Sequence, residues 1–167
     1  MKDLYLNELR DIYNAETQLV KALPKMAEAS TFPKLREGFE EHLRQTQNHV
    51  QRLEQIFTSL GEKAKGETCQ GMKGLVKEGE EMVSGDFEGA IKDAGIIGAA
   101  QRVEHYEIAA YGTARELAQL LGLSEHVTLL EQTLEEEKET DKKLTTLAMD
   151  VNRQALPASQ QARAAHA

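Results

Sequence analysis

Between its breakers the chain repeats apolar residues at steps of three and four, the period of an α-helix with one buried face. The first such stretch spans about residues 3–29 and carries the stripe Leu9, Ile12, Glu16, Leu19, Leu23, Met26. Pro24 is expected to bend it, because proline removes a backbone donor and crowds the preceding turn. A second helix is expected over residues 33–60, where Ser30 or Thr31 can cap, Pro33 suits a first turn and Gly61 is a stop. Its stripe reads Leu35, Phe39, His42, Thr46, His49, Leu53, Ile56, Leu60. A third long helix over residues 87–121, softened near Gly95 and Gly98, presents Ile97, Ala100, Glu104, Glu107, Tyr111, Ala114, Ala118, Leu121. After Gly122 and a Ser124 cap, the fourth, over residues 125–152, presents Val127, Leu130, Leu134, Glu137, Asp141, Leu144, Ala148, Val151.

Residues 61–86 interrupt this pattern and hold six of the twelve glycines, so they predict a crossover with one short amphipathic helix over 72–83. Two helix hairpins joined by so long a link define the fold class: all-α, a ferritin-like four-helix bundle whose long crossover carries a short extra helix. The bundle domain is expected over residues 1–153. Residues 154–167 have little to bury and read as a flexible C-terminal tail.

Composition agrees with one helical domain, since Ala, Leu, Glu, Lys and Gln are abundant and only three prolines occur. A net charge of −8, without a lysine and arginine cluster, argues against a nucleic-acid partner. No stretch approaches the roughly 20 apolar residues of a membrane span, and the charged N-terminus does not read as a signal peptide, so a cytoplasmic protein is expected. A lone cysteine, Cys69, excludes an internal disulfide and a cysteine metal cluster, and reads as a spectator. No phosphate-binding loop or nucleophile elbow is present.

The four stripes share one anomaly: each is polar only at its centre. Glu16, Glu104, Glu107, Glu137 and Asp141 would meet in one interior with no lysine or arginine on any stripe. Buried carboxylates cost several kcal/mol each unless protonated or paired. A single stripe glutamate more often sits at an edge and reaches solvent, but four centred anomalies coincide only if something in the core neutralises them. Two divalent cations would do so, and carboxylates with a few imidazoles suit iron or manganese better than zinc. The metal-ligating candidates are therefore Glu16, His42, His49, Glu104, Glu107, Glu137 and Asp141. His42 and His49 lie two turns apart, too far to share one ion easily, so one of them can instead be an outer or structural histidine. His105 falls off the stripe. Tyr13, Tyr106 and Tyr111 are candidates to hydrogen-bond the ligand carboxylates. In "EEEKE", residues 135–139, only Glu137 is expected to point inward, and Met26, Met72, Met82 and Met149 read as packing.

The segments "LRDIYNAETQLVKALPKMAEAS", "HLRQTQNHVQRLEQIF", "AAQRVEHYEIAAYGTARELAQLLG" and "LLEQTLEEEKETDKKLTTLA" together resemble the YciF/YciE group of bacterial ferritin-like stress proteins over residues 3–153. The resemblance implies a rubrerythrin-like fold, a dinuclear metal centre, a homodimer and a part in stress responses, with no established activity. It implies ligands from Glu16, one of His42, Gln45 and His49, then Glu104 or Glu107, then Glu137 and Asp141. The chain departs from the Glu-x-x-His motifs of ferritin-like sites, having Thr46-x-x-His49 and Glu137-x-x-Thr140. Two functions follow as expectations: redox chemistry with oxygen or peroxide at a carboxylate-bridged iron or manganese pair, or a non-catalytic metal-binding or structural helical dimer in stress protection.

Overall fold

Stripes of this spacing become five helices in the computed structural model, which describes residues 1–157: α1 (Lys2–Ala29), α2 (Pro33–Ser59), α3 (Gln70–Ser84), α4 (Gly89–Leu120) and α5 (Ser124–Ala155). No strand occurs among the described residues. The helices α1 and α2 form one hairpin and α4 and α5 another. The short α3 packs on α1 and α4.

Helix direction explains the long crossover. One apolar cluster joins Leu23 and Met26 of α1, Leu35 and Phe39 of α2, Ile96 and Ile97 of α4, and Leu144 and Val151 of α5. The other joins Tyr5 and Leu9 of α1, Ile56 and Phe57 of α2, Ala114 and Ala118 of α4, and Leu130 and Leu134 of α5. Each cluster thus combines the end of one helix with the start of the next, so α2 and α4 run the same way. Residues 60–88 must carry the chain back along the bundle, and α3 lies on that return path. Each buried leucine or isoleucine contributes about 1.5–3 kcal/mol. Between the two clusters lies a layer with almost no hydrocarbon, and the functional residues are there.

Three joints differ from the sequence expectations. At the α1–α2 turn neither Ser30 nor Thr31 caps α2. Its N-cap is Phe32, and the buried Asp93 of α4 binds the turn instead, accepting from the N–H of Thr31 and of Phe32 at 2.9 Å each and from Thr31 Oγ1 at 2.6 Å. A carboxylate from another hairpin does the work of a local cap. The α4 helix is unbroken at Gly95 and Gly98; at Gly95 the absent side chain makes room for α3, since a Cβ there would lie 3.1 Å from Met82 Sδ. Leu123, and not Ser124, is the N-cap of α5. The stops at Gly61 and Gly122 hold, with φ of 69° and 70°, and in both turns the two backbone bonds of a left-handed helix cap form. The last helix extends three residues past the expected end, to Ala155. Most of the expected tail, residues 158–167, lies outside the described residues.

At the far end His126 stitches three helices together. Its Nδ1 is 3.1 Å from the hydroxyl of buried Tyr5 on α1, and its Nε2 is 2.6 Å from Ser59 Oγ on α2. Burial lowers its pKa, against a weaker upward pull from Glu125. The unfolded chain therefore binds the proton more readily, and stability falls as pH drops below about 6.5, the ordinary histidine value. Urea denaturation of wild type and His126→Gln across pH 5–8 should show this component of the slope in wild type only; equal slopes would contradict the stitch.

Candidate metal centre

The polar layer places six of the seven predicted ligands around one point. Glu16 comes from α1, His42 and His49 from α2, Glu104 and Glu107 from α4 and Glu137 from α5, and all six are buried. Glu16, His49 and Glu137 are each 0 % exposed. Ligand atoms of His42, Glu104, Glu107 and Glu137 all lie within 4.8 Å of one another, and so do those of Glu16, His49 and Glu137. Glu137 is common to both groups. Its Oε2 is 3.8 Å from His42 Nε2 and its Oε1 is 2.9 Å from His49 Nδ1. Glu104 Oε1 approaches His42 Nε2 at 3.4 Å, and Glu16 Oε1 approaches His49 Nδ1 at 3.3 Å.

Hydrogen bonding does not satisfy this arrangement. Among the described residues nine buried side-chain nitrogen and oxygen atoms have no hydrogen-bond partner. Eight belong to this cluster: Glu16 Oε2, His42 Nε2, His49 Nδ1, Glu104 Oε2 and both carboxylate oxygens of Glu107 and Glu137. Folded proteins leave few such atoms. The exceptions converge on one point, and their lone pairs could hold a metal ion.

The outer contacts orient both imidazoles. His49 Nε2 meets Glu136 Oε2 at 2.8 Å, and Arg52 grips the same carboxylate with Nη1 at 2.6 Å and Nη2 at 2.9 Å. A carboxylate accepts, so Nε2 holds the hydrogen and a neutral His49 directs its Nδ1 lone pair inward. His42 Nδ1 faces Gln45 Oε1 and Thr140 Oγ1, each at 3.4 Å. The amide oxygen likewise assigns the hydrogen to Nδ1 and the free lone pair to Nε2. Tyr111 donates to Glu16 Oε1.

The electrostatics of the cluster follow from this crowding. Burial, then the charge of Glu137, holds the Glu104 and Glu107 carboxyls well above the ordinary carboxylate range. Glu16 is raised mainly by burial, with His49 pulling the other way. Burial pushes on Glu137 too, but His42 and His49 outweigh it and keep this acid low. Burial opposes charge on His49, yet Glu16 and the surrounding hydrogen bonds drive its pKa up to about 11. Glu136 shows the same contest: burial raises it, and His49 and Arg52 bring it down to about 2.

The remaining predicted residues lie elsewhere. Asp141 belongs to neither ligand group; it is partly exposed, 3.3 Å from His105 Nε2 and 3.1 Å from Gln101 Nε2. The buried face of α5 steps from Glu137 to Thr140 and then Leu144, which leaves Asp141 at the rim. His105 is off the stripe, as expected. Tyr13 donates to Glu54 and Tyr106 to Asp11, so of the three tyrosines Tyr111 alone reaches a cluster carboxylate. Met149 is exposed, against the packing role expected of it. Glu136 corrects the reading of "EEEKE": it turns inward beside Glu137 to bind His49. Periodicity could not mark it, because a charge at the edge of a stripe looks like solvent-facing charge. The opposite charge of Arg52, three residues after His49, was the available hint.

A family profile described as a domain of unknown function, DUF892, matches residues 1–156. Protein YciF of Escherichia coli strain K12 is 43% identical over 157 residues, covering 93% of this chain and 95% of YciF. The crystal structure of the E. coli stress protein YciF superposes with a TM-score of 0.87, covering 90% of this chain and 95% of that one. YcfI from Rhodopseudomonas palustris is 46% identical with a TM-score of 0.85, covering 87% and 93% of the two chains. A Xanthomonas campestris protein at 19% identity and a TM-score of 0.73, covering 92% and 98%, shares the fold alone.

The orphaned carboxylates make the centre a liability without a ligand. Glu107→Met removes two of the unpartnered oxygens from a buried place and should stabilise chelator-treated protein by about 1–4 kcal/mol. Denaturation midpoints in excess chelator measure this. A variant less stable than wild type under those conditions would contradict the account of the layer as strained.

Proposed function

This chain belongs to the DUF892 family, alongside the YciF-type stress proteins, and on that premise we propose that it is a ferritin-like di-metal protein that reacts with oxygen or peroxide during stress. The observation that carries the reading is the set of eight unpartnered ligand atoms converging on Glu137. The donor set fits the metals: four carboxylates balance two divalent cations in charge, and oxygen donors with two imidazoles suit iron or manganese. His42, Glu104 and Glu107 would hold one ion, Glu16 and His49 the other, and Glu137 would bridge. This differs from the sequence expectation in leaving Asp141 out of the ligand set. Dinuclear bundle sites generally draw four glutamates and two histidines from their helices. Here Thr46 and Thr140 replace two of those, and Glu107 and His42 restore the inventory from neighbouring turns.

Such a metal pair, when bound, supplies the electrons that reduce a small oxidant. The chain's own residues do the rest. Apolar layers on both sides exclude water and larger reactants, Glu136 and Arg52 fix His49, and Gln45 and Thr140 fix His42. Tyr111 holds Glu16 at the edge of the layer. A homodimer belongs to the same proposal, and the exposed Phe87, just before α4, and Ile91, in its first turn, offer it an apolar face. A cytoplasmic setting suits the single free thiol. No helix among the described residues is long and apolar enough to cross a membrane.

Purified protein reconstituted with iron(II) or manganese(II) should consume peroxide, and Glu137→Ala should lose both metal and consumption. Full metal content without consumption would leave the non-catalytic metal-binding reading in place, and absence of bound metal would overturn the proposal. Glu136→Gln should weaken metal binding by about 10- to 100-fold, since second-layer partners of a ligating histidine have effects of that order; unchanged affinity would remove Glu136 from the design. Because the raised glutamates and His49 must shed protons to bind, metal affinity should rise from pH 5 to pH 8, with proton release seen by calorimetry in buffers of different ionisation enthalpy. A flat profile would contradict the ligand set.

A further inference from the structure

The crossover delivers the chain's single cysteine to the flank of the polar layer. Cys69 is 1 % exposed. Its N–H donates to Asn14 Oδ1 at 2.8 Å and its carbonyl accepts from Gln18 Nε2 at 3.2 Å, so it is tied to α1 on both sides of Glu16. Two glycines permit the approach. A Cβ at Gly66 would fall 2.5 Å from the Arg10 carbonyl oxygen, and one at Gly71 would fall 2.8 Å from the ring of Tyr106. Sγ accepts from Met72 N–H at 3.3 Å and lies 3.0 Å from the Tyr106 hydroxyl, which donates to Asp11 Oδ2 at 2.5 Å.

Capping α3 does not explain this cluster, since serine or aspartate caps a helix better than a thiol. Tyr106 is covalently adjacent to Glu107, which is buried with both oxygens unpartnered. Two oxidisable side chains, a thiol and a phenol, thus touch at the flank of the proposed metal pair, with a carboxylate placed to take the phenol proton.

We propose that Cys69 and Tyr106 are the internal reductant for this centre when no other is present, and that their oxidation by peroxide joins them through a thioether bond. The proposal rests on the metal and peroxide reading above. The S–H bond of Cys69 and one ring C–H bond of Tyr106, ortho to the hydroxyl, break, and a bond forms between Sγ and that carbon. Hydrogen peroxide takes up the two electrons and two protons released and leaves as two waters. Asp11 accepts the phenol proton during oxidation of the ring and returns it when aromaticity is restored.

The test treats metal-loaded protein with one equivalent of hydrogen peroxide, then unfolds it, digests it with trypsin and reads masses. The expected product is lighter by two hydrogen atoms, has lost its free thiol, and contains tryptic peptides 66–73 and 103–115 joined. Cys69→Ser, which keeps a good cap, and Tyr106→Phe should hold wild-type metal content yet yield no joined peptide, and Asp11→Asn should lower its yield several-fold. Metal-loaded protein that consumes peroxide but keeps the peptides separate, or only adds oxygen atoms to Cys69, overturns the proposal. Equal yield after chelation overturns it as well, because the metal then has no part. Protein that binds no metal overturns the metal reading, and this proposal with it.

Discussion

Four buried glutamates and two buried histidines face one another across the middle of the bundle with no lysine or arginine among them. Hydrocarbon on either side gives this layer a low dielectric, where unpaired charge is expensive. Everything near it is arranged to tolerate that cost. Burial and mutual repulsion raise the pKa values of Glu16, Glu104 and Glu107, the surrounding carboxylates raise that of His49, and Glu137 is held low because both imidazoles face it. The apolar clusters at the two ends supply the stability that the centre lacks.

The same constraint organises parts of the fold far from any ligand. Side chains from four helices converge only if the helix axes are fixed relative to one another, and several polar joints do that. Asp93 locks the α1–α2 turn to α4, His126 joins α1, α2 and α5, and Arg52 with Glu136 joins α2 to α5 beside His49. The crossover is tied to the bundle by specific contacts. Gly66 and Gly71 let it press onto Arg10 and Tyr106, and Asn14 and Gln18 bind its backbone on either side of Glu16.

Much of this was legible in the sequence because helical periodicity is local and charge is conspicuous on an apolar stripe. The four long helices, the glycine-rich crossover and the meeting of Glu16, His42, His49, Glu104, Glu107 and Glu137 all follow from stepping by three and four. What escaped depended on contacts between helices. Asp141 and Thr140 are neighbours, and one step of four instead of three carried the stripe to the wrong one. Glu136 and Asp93 look like surface charges until the partner helix is in place. Gly95 reads as a helix breaker by propensity, and it is a packing surface for Met82. Cys69 reads as a spectator until the crossover is folded against Tyr106.

Under the proposed function two ions would sit in this layer with Glu137 between them. Crystals of the iron- or manganese-loaded protein, measured on both sides of the metal absorption edge, give the most direct test. The account predicts two anomalous peaks in the polar layer, one against His42, Glu104 and Glu107, the other against Glu16 and His49, with the Glu137 carboxylate touching both. A single peak, a peak held by Asp141 in place of Glu137, or none in metal-loaded crystals would contradict it.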